Sequence, residues 1–236
     1  MSTAPEIADE SHTRLPLLRP LLSTFIALFV LTAAAYPALV TALAQTLFPR
    51  RANGSLVERH GHIVGSWLIG QSFTAPGFFW SRPSATTPTP YNAANSSASN
   101  LGPSNPALLA AVRRRVGKLR AADPNERHTP IPVDLVTSSA SGLDPDISIA
   151  AAYYQAGRVA QARHLPLSLV HALIAREAHH PSWGFLGTPH VNVLRLNLAL
   201  IAASQRPAHA TTQSTDRQAN RHGRTTPRPR AASAAN

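Results

Sequence analysis

The 236-residue sequence predicts an α+β protein in three parts: a single N-terminal transmembrane helix, one mixed α/β soluble domain and a disordered basic C-terminal tail. Three observations predict it. No charged residue occurs from Pro20 to Pro49. Between residues 50 and 204, short aromatic runs bounded by glycine and proline alternate with segments of helical period. Residues 205 to 236 hold almost no large apolar side chain. The segments are residues 1–19, an N-terminal lead; 20–48, the span; 50–204, the soluble domain; and 205–236, the tail.

The span comes first. "LLSTFIALFVLTAAAYPALVTALAQTLF" exceeds the roughly 20 apolar residues that cross a bilayer as a helix. Pro37 inside it is tolerated with a kink, because neighbouring groups re-satisfy the freed carbonyl. A cleaved signal peptide, with Ala42-Leu43-Ala44 as the site, fits less well, since a signal's apolar region is only about 7 to 15 residues. A buried core helix fits poorly, because arginines flank both ends (Arg14 and Arg19, then Arg50 and Arg51) and no polar face exists. The flanking charges are too balanced to orient the span.

Net charge is +11, from 22 basic and 11 acidic residues. The tail alone holds six arginines and one aspartate, almost half of that excess, which weakens a nucleic-acid reading of the domain. With so little to bury, the tail does not offset the entropy of ordering. Cysteine is absent, which excludes disulfides, thiol nucleophiles and thiolate metal sites.

Within the domain, "HIVGSWLIGQSF" and "GFFWSRP" predict short strands, with Trp67, Phe78, Phe79 and Trp80 as core or interface aromatics. "SATTPTPYNAANSSASNLGPSNP" predicts a long irregular loop. "SNPALLAAVRRRVGKLRAAD" predicts a helix capped by Ser104 or Asn105, with Pro106 in the first turn. Its apolar face is Leu108, Leu109, Val112, Val116 and Leu119; the arginine run splays around the axis by about 100 degrees per residue and makes no single stripe. "VDLVTSS" predicts a strand. A helix then runs to about Arg163, capped by Asp144, Asp146 or Ser148, with Ile149, Ala152, Tyr153, Ala156 and Val159 facing the core. "LSLVHALIAREA" predicts a further helix, and "VNVLRLNLALIAA" a closing helix or strand.

Catalytic signals are weak. Ser138, Ser139 and Ser141 lie near Asp144 and Asp146, but no histidine is close and no G-x-S-x-G elbow occurs. Turn and capping hydrogen bonds account for Ser139, Ser141, Asp144, Asp146 and Ser148 better. His60 with His62, expected on one side of a strand, and His179 with His180 lack the spacing of a helical zinc site, so no metal is expected. No G-x-x-x-x-G-K-[ST] phosphate loop occurs either.

Together the motifs say more. "IGQSFTAPGFFWSRPSAT…YN…ASNLGPSNP", "PVDLVTSSASGLDPDISIAAAYYQAGRVAQAR" and "GFLGTPHVNVLRLNLAL", behind one span, resemble the C subunit (KdpC family) of the Kdp-type potassium-transporting P-type ATPase, over about Leu21 to Leu200. The resemblance implies a non-catalytic subunit of a high-affinity potassium uptake complex in the bacterial inner membrane. It implies three protein partners: a channel-like potassium-binding subunit, an ATP-hydrolysing P-type subunit and a small membrane peptide. The bilayer is a fourth contact, and no nucleic acid is expected. The subunit is needed for assembly and is described as a catalytic chaperone that raises the pump subunit's ATP affinity. No intrinsic cofactor is implied, and ATP is met only through the complex. The soluble domain is expected to face outward, over the mouth of the channel-like subunit.

On this resemblance the stretch from Val136 to Arg163 is a structural and docking element. Tyr153, Tyr154, Gln155, Arg158 and Arg163 are candidate partner contacts, joined by Arg82, Asn92, Asn100 and Asn105 from the earlier motifs. Arg158 is expected off the helix's core face, with its fork of donors turned to a partner. Two features depart from the family pattern: the arginine-rich tail, and Gly157 of "AGRVAQAR" in place of a kinking proline. The alternatives are a freestanding membrane-anchored envelope binding protein and, third, a membrane-tethered hydrolase.

Overall fold

The computed structural model describes residues 15–205, which divide into two compact units, one ending at Ser66 and the other beginning at Trp67. The expected tail, from residue 206 onward, and the first 14 residues lie outside the described residues.

The first unit is a helix followed by a hairpin. Helix α1 (Leu15–Phe29), a π-helical stretch (Val30–Ala35) and α2 (Tyr36–Leu47) run on without a break. The apolar run Leu17–Leu47 is 31 residues, and none of its most hydrophobic window is buried. At 1.5 Å per residue it is about 46 Å long, against ~30 Å of hydrocarbon, so it is long enough to cross a bilayer with length to spare. Pro37 explains the π-helical turn. Its ring excludes the usual bond to the carbonyl four residues back, and just before it Tyr36 N–H donates instead to Leu31 O, five residues back. The disturbance stays local, and α2 resumes. After α3 (Pro49–Ala52), β1 (Leu56–Arg59) and β2 (His62–Ser66) pair antiparallel. Their two-residue connection, His60 (φ 51) and Gly61 (φ 77), has the positive φ angles that a type I′ hairpin requires. His60 therefore sits in the turn, and it does not share a strand face with His62.

The second unit is a small sheet backed by helices. Strands β3 (Asp146–Ser148), β4 (Ala178–His179) and β5 (His190–Asn192) form an antiparallel sheet with β5 in the centre. Two of the strands run directly into helices: β3 into α5 (Ile149–Arg163) and β5 into α7 (Val193–Ser204). The caps are matched. Ser148 Oγ accepts from Ala151 N at 3.0 Å and Asn192 Oδ1 from Arg195 N at 3.1 Å, each pairing a donor the helix start leaves open. Helix α6 (Leu167–Glu177) packs on both α5 and α7. Alanines 151, 152, 156 and 160 of α5 are buried, and with Ile147, Val159, Val170, Ile174, Val191, Leu196 and Leu200 they make the core. Helix α4 (Pro106–Ala122) adds Leu119, and Asn105 Oδ1 caps it by accepting from Ala107 N at 2.9 Å.

Three expected strands take other forms. The strand after His62 ends at Ser66. "VDLVTSS" opens on a turn of 3-10 helix, Val133–Leu135, whose Asp134 accepts from the Ser148 amide at 2.7 Å. "GFFWSRP" is not in a strand, and most of its backbone partners are side chains.

Candidate functional site

The segment from Pro76 to Ser81 is held from α5 and α7 by four polar side chains. Asn197 Oδ1 accepts from Phe79 N at 2.9 Å while its Nδ2 donates to Phe79 O at 3.0 Å. Gln155 does the same for the next residue, accepting from Trp80 N at 2.8 Å and donating to Trp80 O at 3.2 Å. In an extended chain successive residues turn their polar groups to opposite sides. One amide from each helix therefore supplies the ladder that neighbouring strands would. Gln155 and Asn197 are each 1 % exposed and Phe79 0 %, so these bonds replace water that has no access.

Arg158 completes the arrangement. Its Nη1 donates to Pro76 O and to Phe78 O (3.1 Å), its Nη2 to Gln155 Oε1 (2.8 Å), and its guanidinium lies 4.2 Å from the centre of the Trp80 ring. Burial pushes its pKa down to about 10, against the opposing pull of Asp123 and Tyr154, so it stays charged at neutral pH. Arg163 Nε donates to Gly77 O, with its guanidinium 4.4 Å from the Phe78 ring. The expectation that Arg158 lies off the core face is thus corrected: it is 5 % exposed, because its charge is matched by inward-facing carbonyls and an aromatic face. Gln155 is inside with it. The neighbouring tyrosines exchange roles relative to the expectation, Tyr154 being buried and Tyr153 42 % exposed against His171.

The serine–aspartate run forms a polar turn under the long loop. Ser139 Oγ accepts from Gly142 N at 2.9 Å and Ser141 Oγ from Leu143 N at 3.1 Å. Asp144 accepts from Asp146 N at 3.0 Å and pairs with Arg82 Nη1 at 2.8 Å. Asp146 accepts from Asn192 Nδ2 at 3.0 Å, and burial raises its pKa. Gly142, at φ 68, stands where a Cβ would lie 2.6 Å from Thr86 Cγ2 and 2.7 Å from Ser97 O. The loop is thereby seated on the turn: Ser97 N donates to Ser141 O (3.0 Å), Ser84 Oγ to Gly142 O (2.7 Å) and Tyr91 OH to Arg82 O. Asn92 closes an Asx turn onto Ala94 N at 3.1 Å, and Asn100 adopts φ 50. Arg82, Asn92, Asn100 and Asn105 thus all shape the backbone of this region.

Beside them a cleft of about 280 Å³ is lined by Phe73, Trp80, Arg82, Tyr91, Arg115 and Lys118 among others. Arg115 donates to Val136 O at 2.8 Å, and Lys118 Nζ lies 5.0 Å from the centre of the Trp80 ring. Sequence reasoning missed the whole amide and arginine ladder. Its one legible signal was Gln155 and Arg158 three residues apart on an alanine-rich helix. Among the described residues no group of three or more histidines and carboxylates is placed to hold a metal.

Fold and site define a class: a chain with, among the described residues, one helix of membrane-crossing length, and a second unit that uses its strongest polar side chains to build itself. Comparison with known proteins gives the family. Residues 18–202 match the family model KdpC, described as K+-transporting ATPase, c chain. The chain is 59% identical over 187 residues to a potassium-transporting ATPase KdpC subunit from Variovorax paradoxus (strain S110), covering 79% of this chain and 96% of the relative. It is 60% identical over 186 residues to one from Polaromonas naphthalenivorans (strain CJ2), covering 79% and 94%. A third, from Methylococcus capsulatus (strain ATCC 33009 / NCIMB 11132 / Bath), is 57% identical over 184 residues, covering 78% and 96%. The chain belongs to the KdpC family: it is an accessory subunit of a potassium-transporting ATPase and not the catalytic one.

Proposed function

We propose that the chain is the assembly subunit of a high-affinity, ATP-driven potassium uptake complex in the bacterial inner membrane. Its protein partners are a channel-like potassium-binding subunit, a P-type subunit that hydrolyses ATP and a small membrane peptide. The soluble unit faces outward, over the mouth of the channel-like subunit, and raises the ATP affinity of the hydrolysing subunit. It holds no cofactor of its own and meets ATP through the complex. The observation that carries this reading is the apolar helix Leu17–Leu47, unburied by its own chain, in a protein whose family is a transporting ATPase's c chain.

An outward-facing unit acts on ATP affinity only by favouring pump conformations that bind nucleotide better, since a ligand or subunit shifts an equilibrium by no more than its differential affinity. The inward commitment of Arg158, Gln155 and Asn197 supports a rigid body of this kind.

The chain has no cysteine, so one placed at the exposed Ser104 reports topology alone. Ser104→Cys in intact cells is expected to react with a membrane-impermeant maleimide, and affinity purification of the full chain to bring the P-type subunit with it. Labelling only after permeabilisation overturns the outward placement. Purification without the ATPase under potassium limitation overturns the assembly role and favours a freestanding envelope protein.

A further inference from the structure

The connection between β4 and β5 is the most apolar exposed feature of the second unit. Residues 180–189, "HPSWGFLGTP", contain no Asp, Glu, Lys or Arg. Trp183 is 84 % exposed, Phe185 74 % and Leu186 49 %. The loop closes on itself: Ser182 N donates to Leu186 O at 2.9 Å, Leu186 N to Ser182 O at 3.0 Å and Gly184 N to Pro181 O at 3.2 Å. With its backbone so paired, the tip is presented as a fixed shape with its large side chains outside. Trp183 adopts φ 54, a left-handed conformation that bulky residues rarely take and that is kept where the surroundings enforce it. Its ring centre lies 6.5 Å from that of Phe185, so the two form one apolar wedge. His179 and His180 are exposed polar residues at its base.

We propose that this tip inserts into the surface of a lipid bilayer as a second membrane contact of the chain. The proposal rests on the reading of residues 17–47 as a span. Three features favour lipid over a protein partner. Tryptophan is enriched where an apolar body meets water at a headgroup layer. The tip carries no charged side chain, whereas a protein interface surrounds its apolar and aromatic core with a polar rim and direct hydrogen bonds. A span in the same chain keeps bilayer at high effective concentration, so a small wedge of three side chains suffices where a free domain would need more.

The chain's three tryptophans are Trp67, Trp80 and Trp183, and none lies in the span. Lipids with brominated acyl chains quench tryptophan only on contact, so emission from the full chain in nanodiscs reports the second unit alone. In phosphatidylcholine nanodiscs we expect brominated lipid to quench wild-type emission and Trp183→Phe to remove that quenching. Phe185→Ser, which keeps the reporter and weakens the wedge, is expected to reduce it. Equal quenching of wild type and Trp183→Phe, or quenching of Trp183 by aqueous acrylamide alone, overturns the proposal. Shielding of Trp183 that appears only with the ATPase subunits present also overturns it and assigns the tip to a protein partner. A chain that fails to enter nanodiscs at all overturns the span reading instead, and the proposal with it.

Discussion

Residues 77–83, "GFFWSRP", and 182–189, "SWGFLGTP", draw on nearly the same residue types and end in opposite environments. Phe79 is 0 % exposed and Trp183 84 %. Aromatic content does not separate them; the supply of backbone partners does. The first segment makes no strand pairing, and its Phe79 is buried because Asn197, Gln155, Arg158 and Arg163 bring donors and acceptors to the peptide groups around it. The second satisfies itself across a five-residue loop and has no need of the core. A buried peptide group without a partner costs about 1–3 kcal/mol. The polar side chains of α5 and α7 therefore decide which aromatic run goes inside.

The largest expected effect follows from removing one of those suppliers. Arg158→Ala leaves Phe78 O, Pro76 O and Gln155 Oε1 short of donors. With each hydrogen bond to a charged group contributing about 1.5–3 kcal/mol, the loss of three is expected to be at least about 4 kcal/mol. Chemical unfolding of the full chain in detergent, without partner subunits, measures it. An unchanged midpoint would show that the guanidinium is not part of the fold and return it to the docking role read from the sequence.

The glycines sharpen the comparison at smaller scale. Gly142→Ala meets Ser97 O, a backbone atom, at 2.7 Å with φ 68, and is expected to destabilise by about 2–4 kcal/mol from clash and left-handed strain together. Gly184→Ala in the tip has φ 81 but nothing within 4 Å, so only the strain remains, about 1–2 kcal/mol. Paired unfolding midpoints check the order. The reverse order would place the tip, and not the seated loop, in the packed part of the unit.

The helices were legible because period and caps are local. Pro106, Asn105 and the apolar face ending at Leu119 placed α4, and the alanine-rich pattern before Arg163 placed α5. The membrane-length run was legible from composition, although the π-helical turn before Pro37 was not. What failed was non-local. Arg158 neighbours the core residue Val159, but its partners lie about 80 positions away at Pro76 and Phe78, a distance no helical pattern encodes. Counting only apolar residues as the core face of α5 put Tyr153 inside and left Gln155 and Arg158 outside. The aromatics of "GFFWSRP" suggest a strand, and no β-pattern reveals that its partners are an asparagine, a glutamine and two arginines on two helices. "VDLVTSS" carried a strand's composition, but Asp134 bonds to the Ser148 amide from a tight turn. The hairpin before Ser66 groups with the span, whereas composition places it with the soluble domain.

Native-state hydrogen exchange on the full chain, free of partner subunits, tests the central claim most directly. If side-chain amides hold the 77–81 segment as a strand would, the Phe79 and Trp80 amides open only with the core. They are then expected to exchange as slowly as the interior of α5, while the amides of Trp183 and Phe185 exchange fast. Fast exchange at Phe79 and Trp80, level with the tip, would contradict the account and show that the segment is ordered only when partner subunits bind.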